Sequence, residues 1–522
     1  MSHIARPTPA IPPQKPSSLG LFWVTIAVGL LVAAPILAVL SSLFMGFGAD
    51  QAHIWSTRGP IYFTNTLVLC ILTGSLAALF GGTTAILVSL FDFPLRRLLS
   101  VALVLPFAIP PYLAAYAYGG LLPPTEAQTF RTLSGGALVI AATTYPYVYL
   151  AMRASLRTRS ASLIEAARSL GAPPVKTIYK IIIPATRAAL AGGIILVLME
   201  TAADFGVADY FGIPTLSVGI FRTWYGLGSL TGASQLSAGL FFFAMILVVF
   251  ENATRRGTRA ENIKGGKIPE PILLSPIAGL CATAFCIGIF LLGFGVPVGL
   301  LTSNADWTYY AKDLSDLQAI LFNTGKVAFI SALMVGAISI LLAYGKRTQS
   351  SKLVQIVTRF ATLGYALPGA VVAIGILIAG GFFPNALWLT SGIIALTFAY
   401  TVRFLAIGFN TTDAGLGQIN TRQDEAARNL GASTKAILTK IHLPQLRGTM
   451  LAGMLIVMID VAKELPATLL LRSFNFETLS TEIYRLASDE RVSEAAPAAM
   501  LLIGFGIIAV ALFLNLEGRQ RR

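Results

Sequence analysis

The sequence EAARSLGAPPVKTIYKIIIP at residues 165–184 recurs 260 residues later as EAARNLGASTKAILTKIHLP at residues 425–444. Both copies follow the pattern E-A-A-x-x-x-G, then nine residues, then I-x-[IL]-P, without a gap. Each copy is polar and basic, and each lies between strongly apolar segments. The repeat therefore predicts a membrane protein with two similar halves, each of which presents this segment as a cytoplasmic loop.

The composition of the whole chain supports a membrane protein. Of its 522 residues, 55% are hydrophobic and 12% are charged, and the mean hydropathy is +0.74. Soluble domains carry about 25% charged residues. The net charge of +14 is also found in proteins that bind nucleic acid. Because Lys and Arg accumulate in the cytoplasmic loops of membrane proteins, we predict a lipid bilayer and no nucleic acid as partner.

Apolar runs long enough to cross a bilayer, roughly 20 residues each, recur along the chain. They predict an all-α polytopic membrane protein with about twelve transmembrane helices in two parallel six-helix repeats. The first repeat covers residues 19–252, with spans near 19–44, 62–90, 98–120, 136–155, 187–208 and 234–252. The second covers residues 273–515, with spans near 273–297, 318–344, 355–380, 388–410, 447–470 and 496–515.

Five segments outside the predicted spans are predicted to be cytoplasmic. They are a disordered N-terminus (1–18), a linker (253–272), a basic tail (516–522) and the two loops that hold the repeated motif (157–186 and 412–446). With the N-terminus inside, these segments and the cytoplasmic ends of the spans, among them Arg96, Arg97, Lys346 and Arg347, together hold 29 of the 38 Lys and Arg residues. This asymmetry predicts that both termini are cytoplasmic.

Each copy of the motif has the features of a short helix followed by a second one. Ser162–Glu165 and Thr421–Asp424 fit capping boxes, in which a Ser or Thr opens a helix and an acid follows three residues later. Paired alanines then favour helix and leave little side-chain bulk, so that a partner can approach closely. These are Ala166 and Ala167 in the first copy, and Ala426 and Ala427 in the second.

The end of the first short helix is also predictable. Gly171 and Gly431 suit the left-handed residue that ends a helix, and Ser433 suits the start of the next one. Pro184 and Pro444 are predicted to mark the return into the membrane. An ordinary solvated loop, in which Glu165 and Glu425 only support their helices, is the alternative. The duplication favours docking of a partner instead.

The motif resembles the signature of permease subunits of binding-protein-dependent ABC importers. The second copy matches it fully, and the first has Ile183 where Leu is usual. In that family the loop forms a coupling helix that docks on an ATP-binding subunit. The resemblance covers nearly all of the chain after residue 60. It implies the type I ABC importer permease fold, two copies of an ATP-binding subunit, a substrate-binding protein and a bacterial inner membrane.

A narrower resemblance concerns the cargo. Two halves in one chain, with ETAADFGVADYFG at residues 200–212 and KELPATLLLR at 463–472, are similar to the ferric-iron permeases. This resemblance implies transport of ferric iron. Thiamine, a phosphonate or a polyamine is the alternative cargo for the same machinery. A secondary transporter, which can also have two parallel six-helix halves, and a non-transporting scaffold or receptor are alternatives of other classes.

The chain contains no phosphate-binding loop of the form G-x-x-x-x-G-K-[ST]. Without that loop it is predicted not to hydrolyse ATP, and so not to be an enzyme. We expect this chain to bind no cofactor, with ATP and Mg²⁺ on the partner subunit.

Four acids within the predicted spans are candidates for the translocation pathway, because ionisable residues in a membrane are costly. Glu200 and Asp204 are four residues apart, and Asp460 and Glu464 repeat this spacing 260 residues later. Such spacing places both members of a pair on one helix face. These acids either line the path of a cation or form buried ion pairs, for example Asp460 with Lys463. Both readings stay open.

No residue is firmly assigned as a metal ligand. Three cysteines and three histidines show no metal-site spacing. Six tyrosines near span ends suit interfacial anchors better than iron ligands; they are Tyr112, Tyr116, Tyr118, Tyr145, Tyr147 and Tyr149. Pro110, Pro111 and Pro368 are predicted to kink or break corresponding spans.

Overall fold

The computed structural model of the chain describes residues 19–44, 46, 54–156, 174–256, 271–312, 314–349, 351–383 and 387–519. Some predictions therefore lie outside the described residues. They concern the N-terminal segment 1–18, the linker residues 257–270, the tail residues 520–522 and the first copy of the motif up to residue 173, which includes Glu165, Ala166, Ala167 and Gly171.

The described part of the first half is helical apart from one short strand. Its helices are α1 (Leu19–Ser41), α2 (Gly59–Leu90), α3 (Arg96–Ala102), α4 (Pro111–Gly120), α5 (Pro124–Phe130), α6 (Leu133–Thr144), α7 (Pro146–Leu156), α8 (Pro174–Thr177), α9 (Ile183–Ala203), α10 (Gly206–Tyr210), α11 (Leu216–Phe221) and α12 (Leu230–Arg256). Shorter turns of 3₁₀-helix cover Ser42–Phe44 and Leu105–Ala108, and π-helical turns cover Ile178–Ile182 and Arg222–Gly226.

The second half repeats this order. Its helices are α13 (Pro276–Phe290), α14 (Val296–Ser303), α15 (Thr308–Ala311), α16 (Leu314–Thr348), α17 (Lys352–Ala361), α18 (Gly369–Gly381), α19 (Ile393–Gln418), α20 (Thr421–Asn429), α21 (Thr434–Ile437), α22 (Leu443–Ala462), α23 (Pro466–Leu471), α24 (Leu479–Ser488) and α25 (Val492–Arg519). Turns of 3₁₀-helix cover Thr362–Ala366 and Leu387–Leu389, and π-helical turns cover Leu291–Gly295 and Leu438–His442.

One pair of two-residue strands joins the start of the second half to the first half. Strand β1 (Phe91–Asp92) pairs in parallel with β2 (Ile272–Leu273). Because β1 directly follows α2, the chain that leaves the linker is held beside the end of that helix.

The membrane-spanning helices agree with the predicted all-α polytopic fold. Among the described residues, nine helices are long and apolar enough to cross a bilayer, and three bent helix pairs raise the possible count to twelve. Two of the bends are sharp, 86° between Arg96–Ala108 and Pro111–Gly120, and 116° between Lys352–Gly364 and Gly369–Gly381. The predicted breaks at Pro110 and Pro368 are therefore confirmed.

Several predicted boundaries are wrong by a turn or more. Spans were predicted at 187–208 and 447–470, but the helices that hold them end at Ala203 and Ala462. They also begin earlier, since α8 and α21 continue through a π-helical turn into α9 and α22. Helix α19 reaches Gln418, inside the segment predicted as loop. Hydropathy cannot locate these ends, because a helix continues past the apolar stretch wherever its backbone bonds are satisfied.

Close helix packing in the first half depends on small residues. A Cβ added at Gly81 of α2 would lie 2.6 Å from the Tyr145 carbonyl oxygen, and one added at Gly193 of α9 would lie 2.7 Å from Cα of Val148. Helix α7 therefore fits between α2 and α9 only because both neighbours present glycine. Small residues at such interfaces are typical of membrane helices, since they let two backbones approach.

The repeated Asn-Thr pair at the start of α2 and α16 has a structural role. The hydroxyl of Thr66 accepts a hydrogen bond from the Leu216 amide (3.0 Å), and that of Thr324 accepts one from the Leu479 amide (2.9 Å). The preceding asparagines donate to nearby carbonyls, Asn65 to Pro214 (3.1 Å) and Asn323 to Glu477 (3.2 Å). In each half, the same pair fixes the loop that follows the acid-bearing helix.

Candidate translocation cavity and coupling helix

A cavity of about 110 Å³ lies between the two halves and brings the four candidate acids together. It is also lined by aromatic and basic side chains from both halves. The charged and hydrogen-bonding side chains on its wall include Glu200, Asp204, Asp460, Glu464, Lys463, Arg403 and Tyr147. Pairs of acids that are 260 residues apart in the sequence thus share one site.

The ends of several helices form the walls of this cavity. Helix α9 ends at Ala203, and helix α4 begins at Pro111, after the break at Pro110. Both prolines and Ala203 line the cavity, as do Leu465 and Pro466 at the start of α23. Irregular backbone at membrane depth is tolerated where it is buried in protein or lines a cavity. Such broken helices build the binding sites of many transporters.

The two acids of the second half are neutralised by basic partners. Asp460 lies 2.9 Å from Nζ of Lys463, which also sits over the ring of Phe107. Glu464 lies 2.6 Å from Nη1 of Arg403, and its side chain is 1% exposed. The ion-pair reading therefore describes this half, including the Asp460–Lys463 pair that the sequence suggested.

Glu464 also has a local structural role. Its carboxylate accepts hydrogen bonds from the backbone amides of Ala467 (3.0 Å) and Thr468 (3.1 Å) and from the Thr468 hydroxyl (3.0 Å). It thus satisfies the free amides at the start of α23. The prediction that Asp460 and Glu464 share one helix face is wrong, since α22 ends before Glu464.

The two acids of the first half have polar partners but no basic ones. Glu200 accepts a hydrogen bond from the Tyr147 hydroxyl (3.3 Å). Asp204 lies beyond the end of α9, so that it too shares no helix face with Glu200, and it accepts from the amides of Val207 (3.0 Å) and Ala208 (3.3 Å). Among the described residues, no Lys or Arg side chain forms an ion pair with either carboxylate.

The described residues hold no preformed metal cage. No group of three or more His, Cys, Asp or Glu side chains in these ranges is placed to hold a metal ion. Tyr112 and Tyr147 line the cavity, whereas Tyr118 and Tyr149 donate to the carbonyls of Leu292 and Ser100. The buried hydroxyls of Tyr116 and Tyr145 lie outside the cavity wall.

A second, apolar cavity of about 230 Å³ adjoins the first. It shares Phe107, Tyr147 and Asp460 with the acid cavity. Residues of both halves line it, among them Val104 and Ile456. The space between the halves is therefore polar at the acids and apolar beside them.

The second copy of the repeated motif forms the predicted pair of short helices. Helix α20 (Thr421–Asn429) is capped by Asn420, whose Oδ1 accepts from the Arg422 amide (3.0 Å). The predicted capping box from Thr421 to Asp424 is thus wrong. Its failure has a physical reason, because the Asp424 carboxylate is bound to Arg347 and His442 instead.

The end of α20 follows the prediction. Gly431 has φ +81°, and its amide donates to the Arg428 carbonyl (2.8 Å). The next amide, of Ala432, donates to the Ala427 carbonyl (2.9 Å). This is the Schellman arrangement that ends helices at a left-handed glycine. Ser433 then caps α21, accepting a hydrogen bond from the Ala436 amide (3.3 Å).

The sequence predicts that the two motif prolines mark a return into the membrane, but in the structure neither proline interrupts its helix. Pro184 and Pro444 lie in the first turn of α9 and α22, immediately after π-helical turns, and the helix continues through both. A proline lacks the amide hydrogen that an interior helix turn requires. The preceding π-helical turn changes the local pairing of backbone groups, so that the helix passes the proline without a break.

The solvent-facing side of α20 carries the most recognisable part of the motif. Glu425 and Ala426 are exposed, Ala427 is half-buried, and Leu430 is 88% exposed. The motif residues of α20 therefore lie on the surface of the described structure, and Asp424 on the opposite side of the helix is buried. The corresponding residues of the first copy lie outside the described ranges.

Sequence reasoning missed two basic residues that hold acids in place, Arg403 and Arg347. Arg403 lies within a predicted span, and an ionisable residue there was itself a signal. No comparable signal existed for Arg347, since it lies in a cluster of basic residues at a span end. Its partner Asp424 is 77 residues away in the chain.

These features define a polytopic membrane protein with a charged cavity between two similar halves and an exposed short helix in the second copy of the repeated motif. The chain belongs to the family of binding-protein-dependent transport system inner membrane components, whose model matches it twice, at residues 77–252 and 336–522. The two matches confirm the predicted division into two similar halves.

Curated relatives of the chain are also permeases. The Fe(3+)-transport system permease protein FbpB 2 of Haemophilus influenzae is 27% identical over 96% of this chain and 98% of its own length. The ferric transport system permease protein FbpB of Actinobacillus pleuropneumoniae is 24% identical over 71% of this chain and 56% of its own length. The sulfate transport system permease protein CysW of Escherichia coli is 25% identical over 46% of this chain and 92% of its own length.

Proposed function

We propose that the chain is the transmembrane permease subunit of an ATP-driven importer that moves ferric iron into the cytoplasm. The observation that carries this proposal is the single cavity in which four acids from the two halves meet. Family membership supports transport, and the named cargo of the full-length relative supports iron. The halves would rock between outward-open and inward-open states around this cavity, with ATP biasing the equilibrium.

The charge of the cavity favours a cation. Four carboxyl groups face two basic side chains there, so that acidic groups outnumber basic ones, and the surplus acids are Glu200 and Asp204. Hard cations prefer oxygen ligands, and both acids present carboxyl oxygens that form no ion pair with a basic side chain of the described residues. A site of two acids also fits transport better than a closed cage, because the cargo must be released.

The motor of the importer would be a separate protein. Two coupling loops match two copies of an ATP-binding subunit, which would hold ATP and Mg²⁺, while this chain binds no cofactor of its own. Exposed Glu425, Ala426 and Leu430 support docking at the second loop. We assign the same role to the repeated residues Ala427, Gly431 and Pro444, and to Glu165, Ala166, Ala167, Gly171 and Pro184 of the first loop.

The opposite face supports a contact with a substrate-binding protein. A cavity of about 700 Å³ opens there between the start of α16 and the loops around α24. Its wall is highly charged and includes Asp316, Glu482 and Arg485. A polar, charged rim is typical of transient protein interfaces.

In this arrangement both termini and the linker 253–272 are cytoplasmic, as the charge asymmetry predicts, and the membrane is the bacterial inner membrane.

Uptake by the reconstituted complex tests the proposal. The tagged chain would be purified with its co-purifying ATPase, placed in liposomes, and supplied with iron-loaded binding protein and internal ATP. We expect ATP-dependent ⁵⁵Fe uptake that excess thiamine, phosphonate, polyamine or sulfate does not reduce. Uptake driven by an ion gradient without ATP would instead indicate a secondary transporter.

The acid pair of the first half gives a sharper test within the same assay. Glu200→Gln with Asp204→Asn keeps size and hydrogen-bond acceptors, including the cap of α10, but removes both charges. We expect uptake to fall by roughly tenfold or more, since each ~1.4 kcal/mol lost from cation binding is a factor of ten. Glu126→Gln, on the short helix α5 away from the cavity wall, is the matched control. Unchanged uptake in the double variant would contradict a pathway role.

A further inference from the structure

A buried polar cluster ties the second coupling helix to a membrane helix. Nε and Nη2 of Arg347, at the end of α16, donate to Oδ2 of Asp424 in α20 at 3.2 and 3.1 Å. The other oxygen of Asp424 accepts from Nε2 of His442 at 2.7 Å, and this histidine is fully buried. A carboxylate can only accept, so the histidine nitrogen is the donor.

Arg347 also binds the chain that leads into the coupling helix. Its Nη2 donates to the Ile419 carbonyl (3.1 Å), and its Nη1 donates to the Leu416 carbonyl. On the other side, the neighbouring Tyr344 donates to the Thr434 carbonyl (3.1 Å), and its ring packs on His442. The end of α16 therefore contacts the residues before, within and after α20.

The sequence of the first half has no charged residues at the positions that correspond to this cluster. Helices α2 and α16 correspond at an offset of 258 residues, which aligns Asn65-Thr66 with Asn323-Thr324. At this offset, Ser89 is the residue of the first half that corresponds to Arg347. At the motif offset of 260 residues, Asp424 corresponds to Ile164, and His442 to Ile182. None of these three residues carries a charge, and the hydroxyl of Ser89 is buried without a hydrogen-bond partner.

The other end of α16 leads to the acid cavity. Thr324 holds the Leu479 amide, and the next residue, Ser480, donates from its hydroxyl to the Glu464 carbonyl at 2.8 Å. Arg347 and Thr324 are about 35 Å apart along the helix, at a rise of ~1.5 Å per residue. A single continuous helix thus contacts the coupling helix at its end and, about two-thirds of its length away, is linked through Leu479 and Ser480 to Glu464 in the cavity wall.

We propose that Arg347 is a positioning residue that joins the second coupling helix to α16, so that movement of this coupling helix reaches the acid cavity through α16. The corresponding residues of the first half, Ser89, Ile164 and Ile182, are uncharged, so that its sequence does not encode the same charged joint. The inference rests on the proposed function, since it concerns the coupling of ATP hydrolysis to transport. A rigid element that both sites bias is the physical basis of such coupling.

Two substitutions and one control test this role in the complete complex. Arg347→Gln removes the joint, and Asp424→Asn removes its charge while keeping the bonds of Arg347 to the two carbonyls. Lys346→Gln is the control, because Lys346 pairs with Asp413 at 2.7 Å but both side chains are over one-third exposed. We expect ferric uptake per ATP hydrolysed to fall about three- to thirtyfold in both test variants, the range seen for residues between coupled sites.

Two further readouts separate positioning from a general loss of structure. The amount of co-purified ATPase should stay at the wild-type level, since the exposed face of α20 is intact. Deuterium exchange of residues 420–443 should become faster in Arg347→Gln and stay unchanged in Lys346→Gln. Should Arg347→Gln not be recovered from the membrane, Asp424→Asn decides on the same readouts.

The outcomes distinguish this inference from the proposed function. Wild-type uptake per ATP in both test variants, or unchanged exchange of residues 420–443, would overturn the role of Arg347. A wild-type complex that moves no iron would overturn the proposed cargo. The exchange comparison and the ATPase rate of the complex would still decide whether Arg347 positions the coupling helix.

Discussion

The two halves of the molecule place corresponding acids at one cavity and surround them differently. Glu200 corresponds to Asp460, but Lys463 stands where the first half has Ala203. Lys463 and Arg403 neutralise the second pair, whereas the first pair has only hydrogen-bond donors around it among the described residues. A duplicated backbone thus holds the two acid pairs in different surroundings, ion-paired in the second half and hydrogen-bonded in the first.

The largest effect is expected from removing Arg403, the basic partner of Glu464 in the second half. Glu464 would then keep a buried charge without its partner. Removing one partner of a buried ion pair typically costs about 3–5 kcal/mol of folding free energy, and we expect a cost of this size for Arg403→Met. We expect a large fall in the thermal stability of the detergent-solubilised chain. The double variant Arg403→Met with Glu464→Gln should recover much of the loss. If the single variant is as stable as wild type, the second pair has no structural role.

A smaller effect is expected at Gly369, which packs directly against this ion pair. A Cβ at this position would collide with Oε1 of Glu464 and Nη1 of Arg403. Overpacking of this kind costs about 1–3 kcal/mol, so Gly369→Ala should lower the melting temperature. Gly381→Ala, at the other end of the same helix with open space around it, is the control. Equal melting temperatures for the two variants would show that the ion pair can move aside.

The smallest effect is expected when Ala203 of the first half is replaced by lysine, the residue at the corresponding position 463 of the second half. In Ala203→Lys, the new ammonium is three residues from Glu200, the same spacing as Lys463 and Asp460. We expect uptake to fall roughly fivefold, the effect of about 1 kcal/mol from a partly exposed ion pair. Uptake should fall less in Ala203→Gln, because glutamine adds length to the side chain without adding a charge. A glutamine variant that is equally impaired would assign the loss to bulk and not to charge.

Much of the fold was predictable because it depends on local sequence. Apolar runs, the breaks at Pro110 and Pro368, the left-handed Gly431 and the cap at Ser433 all follow from the residue itself and its neighbours. Helix ends were less predictable. Asp204 and Glu464 were placed inside helices, because hydropathy does not register that a carboxylate can cap the next helix.

The candidate site was predictable only in part. The spacing of the four acids identified them, but it could not tell which of them would be neutralised. Arg403 meets Glu464 across 61 residues, and Arg347 meets Asp424 across 77. Which residues pair over such distances depends on how the helices pack, and this packing could not be predicted from the single sequence.

By itself the sequence determined that this chain spans the membrane as two related halves, that each half carries one copy of the repeated motif, and that acids recur at the same offset of 260 residues. These properties are written in composition, periodicity and repetition, which act locally. The tertiary structure alone decided that the acids share one cavity, that one pair is neutralised, and that a charged joint ties the second motif to its membrane helix. Long-range pairs depend on how helices pack, since burial makes a charge stable only where the fold brings it a partner.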